Sequence, residues 1–344
     1  MKKIISTILV FAILLSISAC GNNSPSNKSG DVRTFTDMAG REITIDGNVS
    51  SYAISWVGCA DIFAMLDNCQ GMVAYPKTST SYAKFVEMFV DESKMVMLPK
   101  DDISAEEVIN SGADVVFARI KDIDGIVDQL EKAGIVVVDV EFKDYNEMLQ
   151  SVQLCADILG TEEAKKRAEA FIKYGNDTLS AIETLVKENK ESVQATALAI
   201  RDTTDYRAYG PGRYAGKWIE MCGFTCPLET DDPEAFVNLT AEEIVRYDAD
   251  YIFFALPGEA QNMVNDSKWV GLKAYDNGRI YNCPECFNTW CNQGSESLLQ
   301  LYWACEILYP DKVNYAMENV VHDFYKDFYS IDLSSDEIAS MLNR

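Results

Sequence analysis

Cys283, Cys286 and Cys291, in the stretch CPECFNTWC, are the residues whose spacing first suggests chemistry. A Cys-x-x-Cys pair presents two thiolates to one metal or to each other, and structural zinc takes four such ligands. Cys291 offers a third, and Cys222 or Cys226 would have to bring a fourth from a separate loop. The same spacing serves a local disulfide, a redox pair or unreacted thiols, and these readings stay open. The chain holds one histidine, His322, in VVHDFYKDFY, which reads as a late helix. A histidine cluster for metal capture and imidazole ligation of haem are thereby disfavoured. No G-x-S-x-G elbow, H-E-x-x-H or phosphate loop of standard form occurs. YGPGRYAG has the glycines of an anion loop but lacks its Lys-Ser/Thr ending. The expectation is a protein that binds rather than catalyses, with no catalytic residues, no resident cofactor and no metal held by its own side chains.

Any such site must be positioned by regular elements, and these are legible. VRTFTDMAGREITIDG has two alternating runs around a turn at Ala39-Gly40, the pattern of a β-hairpin. Residues 104–118, SAEEVINSGADVVFA, are echoed by residues 240–255, TAEEIVRYDADYIFFA. Each unit opens with a capping box, Ser104 with Glu107 and Thr240 with Glu243, and runs through a short helix into an apolar strand. Further short apolar strands stand at GIVVVDV and ATALAI. Strands of this kind alternating with helices make a mostly parallel sheet covered on both faces. The unit occurring twice implies two similar lobes. Between them, Ala164, Ala168, Phe171, Thr178, Ile182 and Leu185 recur at the spacing of one helix face. The expected fold is α/β: two Rossmann-like lobes, each with a mostly parallel sheet, joined by a long rigid helix.

The chain has 344 residues, a formal net charge of −24 and 48% hydrophobic residues. That length suits two medium domains. The charge disfavours nucleic acid as a partner. The chain opens MKKIISTILVFAILLSISAC, an export signal in form. Its ending resembles the bacterial lipoprotein signal, in which cleavage leaves a lipid-bearing cysteine, here Cys20; an ordinary secretory signal is the alternative. The expected divisions are a signal peptide over residues 1–19 and a flexible tether over 20–31. An N-terminal lobe over 32–143, a helical connector over 144–190 and a C-terminal lobe with terminal helices over 191–344 follow. Nine cysteines remain after Cys20, an odd number that cannot all pair within one chain.

Taken in order, the lipoprotein-type signal, FTDMAGREITI, YAISWVGCADIFAMLDN, the two lobes, the connecting helix, GRIYNCPECFNTW and GSESLLQLYWACEILYPD resemble the substrate-binding lipoproteins of iron-complex ABC importers. That family carries iron–siderophores, haem and cobalamin. The resemblance covers nearly the whole mature chain, through motif order rather than one decisive motif. Where the family has Pro-Ser-Ala-Thr-Glu after the first strand, this chain has Trp56, Val57 and Gly58, with Asp61 at the glutamate position.

The resemblance implies a ligand held between the lobes, at the C-terminal ends of the strands. The first-lobe candidates are Trp56, Tyr75, Tyr82 and Arg119. The second-lobe candidates are Tyr209, Arg213, Tyr214, Glu259 and Trp290, with Arg201 and Arg207 open to the same role. Arginine forks pair with anionic oxygens of a chelate, and aromatic rings offer it flat apolar area. Arg119 and Arg213 are expected to face each other across the cleft. The cargo expected is a metal chelate of the iron–siderophore type, with haem or cobalamin as alternatives; a sensor or adhesion lipoprotein is a different reading of the same lobes. The partners implied are an ABC permease with its ATPase, docking through Asp61 and Glu220, and the membrane through lipid on Cys20. The implied location is the outer face of the cell membrane.

Overall fold

The computed structural model describes residues 32–78, 82–100, 102–189, 191 and 193–344. The signal, Cys20 and the tether lie outside the described residues. Strands β1 (Val32–Thr36) and β2 (Glu42–Asp46) form the antiparallel hairpin, with Val32 opposite Asp46. Asp37 closes its turn by accepting the Ala39 and Arg41 N–H groups. Arg41 then donates to the Val137 carbonyl at 2.6 Å, which ties the hairpin to the first lobe.

The first lobe holds β3 (Tyr52–Ile54), β4 (Met72–Pro76), β5 (Val96–Leu98), β6 (Val115–Ala118) and β7 (Val136–Asp139). They lie in the order β5-β4-β3-β6-β7, all parallel. Its helices are α1 (Ala60–Asp67), α2 (Ala83–Phe89), α3 (Ala105–Asn110) and α4 (Asp124–Lys132). Ala53, Val116 and Val137 pack with Val108 and Leu130 on one face of the sheet. Tyr52, Ile54, Phe117 and Val138 join the large central core on the other. Burial on both faces is why these strands read as unbroken apolar runs.

Two helices follow, α5 (Tyr145–Leu159) and α6 (Glu162–Asn189). The 28 residues of α6 give a rod of roughly 42 Å. Its buried face is Ala164, Ala168, Phe171, Gly175, Thr178 and Ile182. Gly175 weakens helix propensity, yet a Cβ there would lie 2.6 Å from the Leu149 side chain. The glycine is what lets α5 and α6 cross closely.

The second lobe contains β8 (Ala197–Ile200), β9 (Arg207–Tyr209), α7 (Tyr214–Met221), β10 (Phe236–Asn238) and α8 (Ala241–Tyr247). The chain goes on through β11 (Tyr251–Phe254), α9 (Glu259–Val264), α10 (Lys273–Asp276) and β12 (Ile280–Asn282). Strand order is β10-β9-β8-β11-β12, and β9 alone runs against the other four. Both capping boxes of the repeated unit are formed, at Ser104 and at Thr240. Helices α11 (Ser297–Leu308), α12 (Met317–Tyr329) and α13 (Ser335–Met341) end the chain. They are not confined to the second lobe: α12 packs on α1 as well as on α11. Two sheet-based lobes joined by the long α6 therefore define a bilobed fold. Among the described residues no helix is long and apolar enough to cross a membrane.

Candidate functional site

A cleft of about 680 Å³ opens between the lobes, and residues from strand ends on both sides line it. Its size lies in the range of small-molecule sites. On the first lobe, β3 delivers Trp56, whose ring packs on Phe142 at 5.2 Å. The Arg119 guanidinium lies 5.6 Å from the Trp56 ring centre and is held by Asp122 at 2.6 Å. Tyr82 lines the cleft from the start of α2, as Asn288 does from the second lobe.

On the second lobe, Phe236 at the start of β10 organises the wall. Tyr209 packs against it at 5.1 Å, Arg207 at 5.0 Å and Arg213 at 3.9 Å. Arg213 donates to the Glu234 carbonyl at 2.9 Å. Arg119 and Arg201, by contrast, each sit against a carboxylate. Burial lowers the Arg213 pKa from its ordinary value, and the charges of Arg119 and Arg207 add to the fall. Arg213 also precedes α7, whose start has no side-chain cap, and Tyr214 and Ala215 of its first turn line the cleft beside it. Gly210 and Gly216 make that turn possible. A Cβ on Gly210 would come within 2.2 Å of the Pro233 carbonyl oxygen, and one on Gly216 within 2.2 Å of the Gly210 oxygen. Tyr214 lies in the floor, its hydroxyl 2.7 Å from Ser297 Oγ and its ring stacked on Tyr145.

The cleft field is positive in an acidic chain. Lys77, Lys100, Arg119, Lys121, Lys143, Arg201 and Arg213 line it, against Asp102, Asp122, Glu141 and Glu234. Seven cations over four carboxylates favour an anionic occupant.

Six of the nine ligand candidates thus meet in the cleft: Trp56, Tyr82, Arg119, Tyr209, Arg213 and Tyr214. Three do not line it. Tyr75 is fully buried on β4, stacked on Phe85 beneath the cleft floor. Trp290 is also fully buried. Glu259 accepts from the Thr203 amide at 2.9 Å and its hydroxyl at 2.5 Å, pinning the loop that follows β8. Phe236 was not readable as a site residue, because a three-residue strand carries no periodic signal.

The docking candidates separate in the same way. Asp61 is no outer-face carboxylate: it is 7% exposed and accepts from the Ser295 amide at 2.5 Å and the Ser295 hydroxyl at 2.6 Å. It joins the lobes from inside, so it does not present itself to another protein. Glu220 is exposed near the end of α7 remote from the cleft. Glu106 and Glu242, the matching acids of the repeated unit, are exposed in the first turns of α3 and α8. The repeated unit places them equivalently in the two lobes, although the sequence reading names Asp61 and Glu220 instead.

All nine described cysteines are free. Cys291 contacts Cys283, and Cys222 contacts Cys305, while Cys286 lies by Tyr325. Among the described residues no group of three or more His, Cys, Asp or Glu is placed to hold a metal. His322 is at the surface between Asp323 and Asp332, 3.0 Å from each.

Two α/β lobes, a long connecting helix and an interlobe cleft lined by strand ends define a bilobed solute-binding protein. The chain belongs to the family described as periplasmic binding protein, which it matches over residues 58–286. It is similar to the molybdate-binding protein MolA of Haemophilus influenzae, 22% identical with 93% of this chain and 97% of MolA covered. The structure of MolA bound to molybdate superposes with a TM-score of 0.74, at 19% identity over 88% of this chain and 99% of that one. The iron-uptake system-binding protein of Bacillus subtilis is 21% identical, with 82% and 90% covered. A periplasmic solute binding protein from Veillonella parvula reaches a TM-score of 0.78 at 20% identity, with 91% and 97% covered. The protein is therefore an extracytoplasmic substrate-binding component of an ABC transporter, with a small-molecule ligand and a permease and ATPase as partners. It is a binding protein, not an enzyme.

Proposed function

We propose that the cleft captures an anionic metal chelate, of the iron–siderophore type, and that the protein hands it to its permease. The observation that carries this reading is the pair of stacked arginines, Arg119 and Arg213, on opposite walls of a 680 Å³ cleft with net positive lining. Planar guanidinium groups held over rings are preorganised for carboxylate, catecholate or hydroxamate oxygens. Trp56, Tyr209 and Phe236 supply the apolar area that a chelator ring would cover. The iron-uptake relative of Bacillus subtilis agrees with such a cargo.

A second reading is a bare metal oxyanion. It is favoured by Arg213, whose side chain has a carbonyl rather than a carboxylate partner beside the uncapped start of α7, and by similarity to a molybdate-binding protein. The size of the cleft favours the chelate. Haem and cobalamin are further members of the same cargo class, and neutral corrinoid would bypass the arginines.

Docking to the permease runs through Glu106 and Glu242. The two acids occupy equivalent places in the two lobes, so together they suit a partner built from two like halves. Lipid on Cys20 would hold the protein at the outer face of the membrane. A thermal-shift panel of ferric hydroxamates, ferric catecholates, haem, cobalamin and molybdate tests the cargo, since a ligand that binds the folded state raises its melting point. A rise with a ferric chelate is the expected result. A rise with molybdate alone selects the second reading, and a rise with cobalamin alone defeats the arginine argument.

A further inference from the structure

Cys283 and Cys291 stand at the two ends of a short hairpin-like loop in the second lobe. Within it Glu285 bridges Thr289 in antiparallel fashion. The Cys286 amide donates to the Asn288 carbonyl at 3.2 Å, and the Trp290 amide to the Pro284 carbonyl at 2.9 Å. Counted outward from these bonds, the next opposed residues are Cys283 and Cys291. Opposed residues of an antiparallel pair lie about 4.5–5.5 Å apart at Cα, inside the roughly 4.4–6.8 Å that a disulfide spans. A turn closed by the Asn292 amide on the Thr289 carbonyl, at 2.9 Å, carries Cys291. Cys283 directly follows β12 and is fixed to the sheet and to α11. Its amide donates to the Phe254 carbonyl at 2.7 Å, and its Sγ accepts from Gln300 Nε2 at 3.6 Å. Both cysteines are buried, 4% and 2% exposed. Their thiols meet: Cys283, and burial after it, push the Cys291 thiol well up. Cys286, the partner that C-x-x-C spacing would choose, sits at the tip of the loop and lies by Tyr325 instead.

We propose that Cys283 and Cys291 become joined by a disulfide in the exported protein. Disulfides form and persist outside the cytoplasm, where this protein works. The oxidant is another disulfide, carried by a protein or a small thiol compound of that compartment. One cysteine thiolate attacks it and expels a first thiol; the second cysteine then displaces the other. A Cys283–Cys291 bond forms, the oxidant's bond breaks, and two protons and two electrons pass to the oxidant as its two thiols. Burial makes the thiolate scarce once the loop has packed, so the exchange belongs to the folding chain. The bond fastens the base of a loop that matters to the cleft. Asn288 and Thr289 line the cleft from within the loop, and Asn292 and Gln293 line it directly after. Gln293 also donates to the Phe142 carbonyl at 2.7 Å, reaching toward the first lobe. The disulfide therefore holds a stretch of the second-lobe wall in shape, whatever cargo occupies the cleft. The assignment is independent of the chelate reading.

The test maps the linkage in the unaltered protein, expressed for export and purified without reductant. Free thiols are blocked with N-ethylmaleimide in denaturant, and the chain is cut after Glu285 by a glutamyl endopeptidase and after Phe287 and Trp290 by chymotrypsin. These cuts place Cys283, Cys286 and Cys291 on separate fragments. Mass spectrometry should find the Cys283 and Cys291 fragments joined, lighter by two hydrogens than their sum, with Cys286 carrying the maleimide. Treatment with a phosphine in denaturant should separate the joined fragments. Cys291→Ser should leave Cys283 labelled, while Cys286→Ser should keep the joined pair. Maleimide on both Cys283 and Cys291 of the unaltered protein overturns the proposal. So does either of them joined to a different cysteine. The mapping of the unaltered protein decides even if a variant fails to fold.

Discussion

Arg119 and Arg213 stand on opposite lobes of one cleft, each laid over an aromatic ring of its own lobe, Trp56 and Phe236. They are near enough for the charge of Arg119 to depress the pKa of Arg213. Two like charges held this way repel, and an anion between them relieves the repulsion. The two are not equivalent, because Asp122 pairs with Arg119 while Arg213, among the described residues, donates to a backbone carbonyl and forms no ion pair.

Arg213→Ala should therefore weaken anionic cargo more than Arg119→Ala does. A lost charge-assisted bond is worth about 1.5–3 kcal/mol, or roughly tenfold to a hundredfold in affinity. Calorimetry with the chelate found in the panel measures both variants. Equal, unchanged affinities would move the anion contact to Arg201 or Arg207.

Gly216→Ala should damage the same wall without touching a charge. The new methyl would meet the Gly210 carbonyl oxygen at 2.2 Å, and backbone must move to admit it. Overpacking of this kind costs about 1–3 kcal/mol. The melting point should fall and cargo affinity should fall with it, since the displaced loop carries Arg213. Wild-type affinity in a stably folded variant would show that the loop is not part of the site.

Asp61 and Glu296 make stability depend on pH. Burial raises Asp61 from its ordinary 3.8 to about 6 and Glu296 from 4.5 to about 8, against the pull of their hydrogen-bond donors. The folded state then holds more protons than the unfolded one between those values. Their contribution is full below about pH 4 and is lost as pH rises through about 8. Urea unfolding across this range should show the decline, on the order of a few kcal/mol. Glu296→Gln should flatten it even if that variant is less stable overall. A flat profile in the unaltered protein would mean that both carboxylates stay ionised.

Charge reversal at Glu106 and Glu242 together should abolish transport and leave cargo affinity unchanged. Both acids lie outside the cleft lining, in exposed first turns of capped helices. Cargo-stimulated ATPase activity of the reconstituted transporter is the readout. Full stimulation by the double variant would place docking elsewhere, with Glu220 the next residue to change.

Cys20→Ala should end incorporation of a palmitate analogue and release the protein from the membrane fraction. Equal labelling of both forms would leave an ordinary secretory signal as the explanation of the apolar run.

The elements that were legible in the sequence are those whose signals are local. The capping boxes at Ser104 and Thr240 need only four consecutive residues, and α6 declares itself through the recurrence of Ala164, Ala168, Phe171, Thr178 and Ile182. The hairpin turn and the apolar strands are of the same kind. From these the two lobes and the connecting helix follow. Arg119 was also within reach, since it directly follows a buried strand.

What tertiary structure decided depends on residues far apart in the chain. Asp61 stands in the first turn of a helix, where a carboxylate is ordinarily solvated; it is buried because α1 is buried along nearly its whole length and Ser295, 234 residues away, arrives on top of it. Tyr75 and Tyr82 are seven residues apart and both aromatic, yet one lies under the cleft and the other in its wall. Phe236 became the platform for two arginines only because a three-residue strand brought it beside Tyr209. CPEC spacing joined Cys283 to Cys286 on paper, while folding set Cys283 against Cys291. Short-range hydrogen bonding and periodic burial write the elements into sequence; the cleft arises from long-range packing, which leaves no such local pattern.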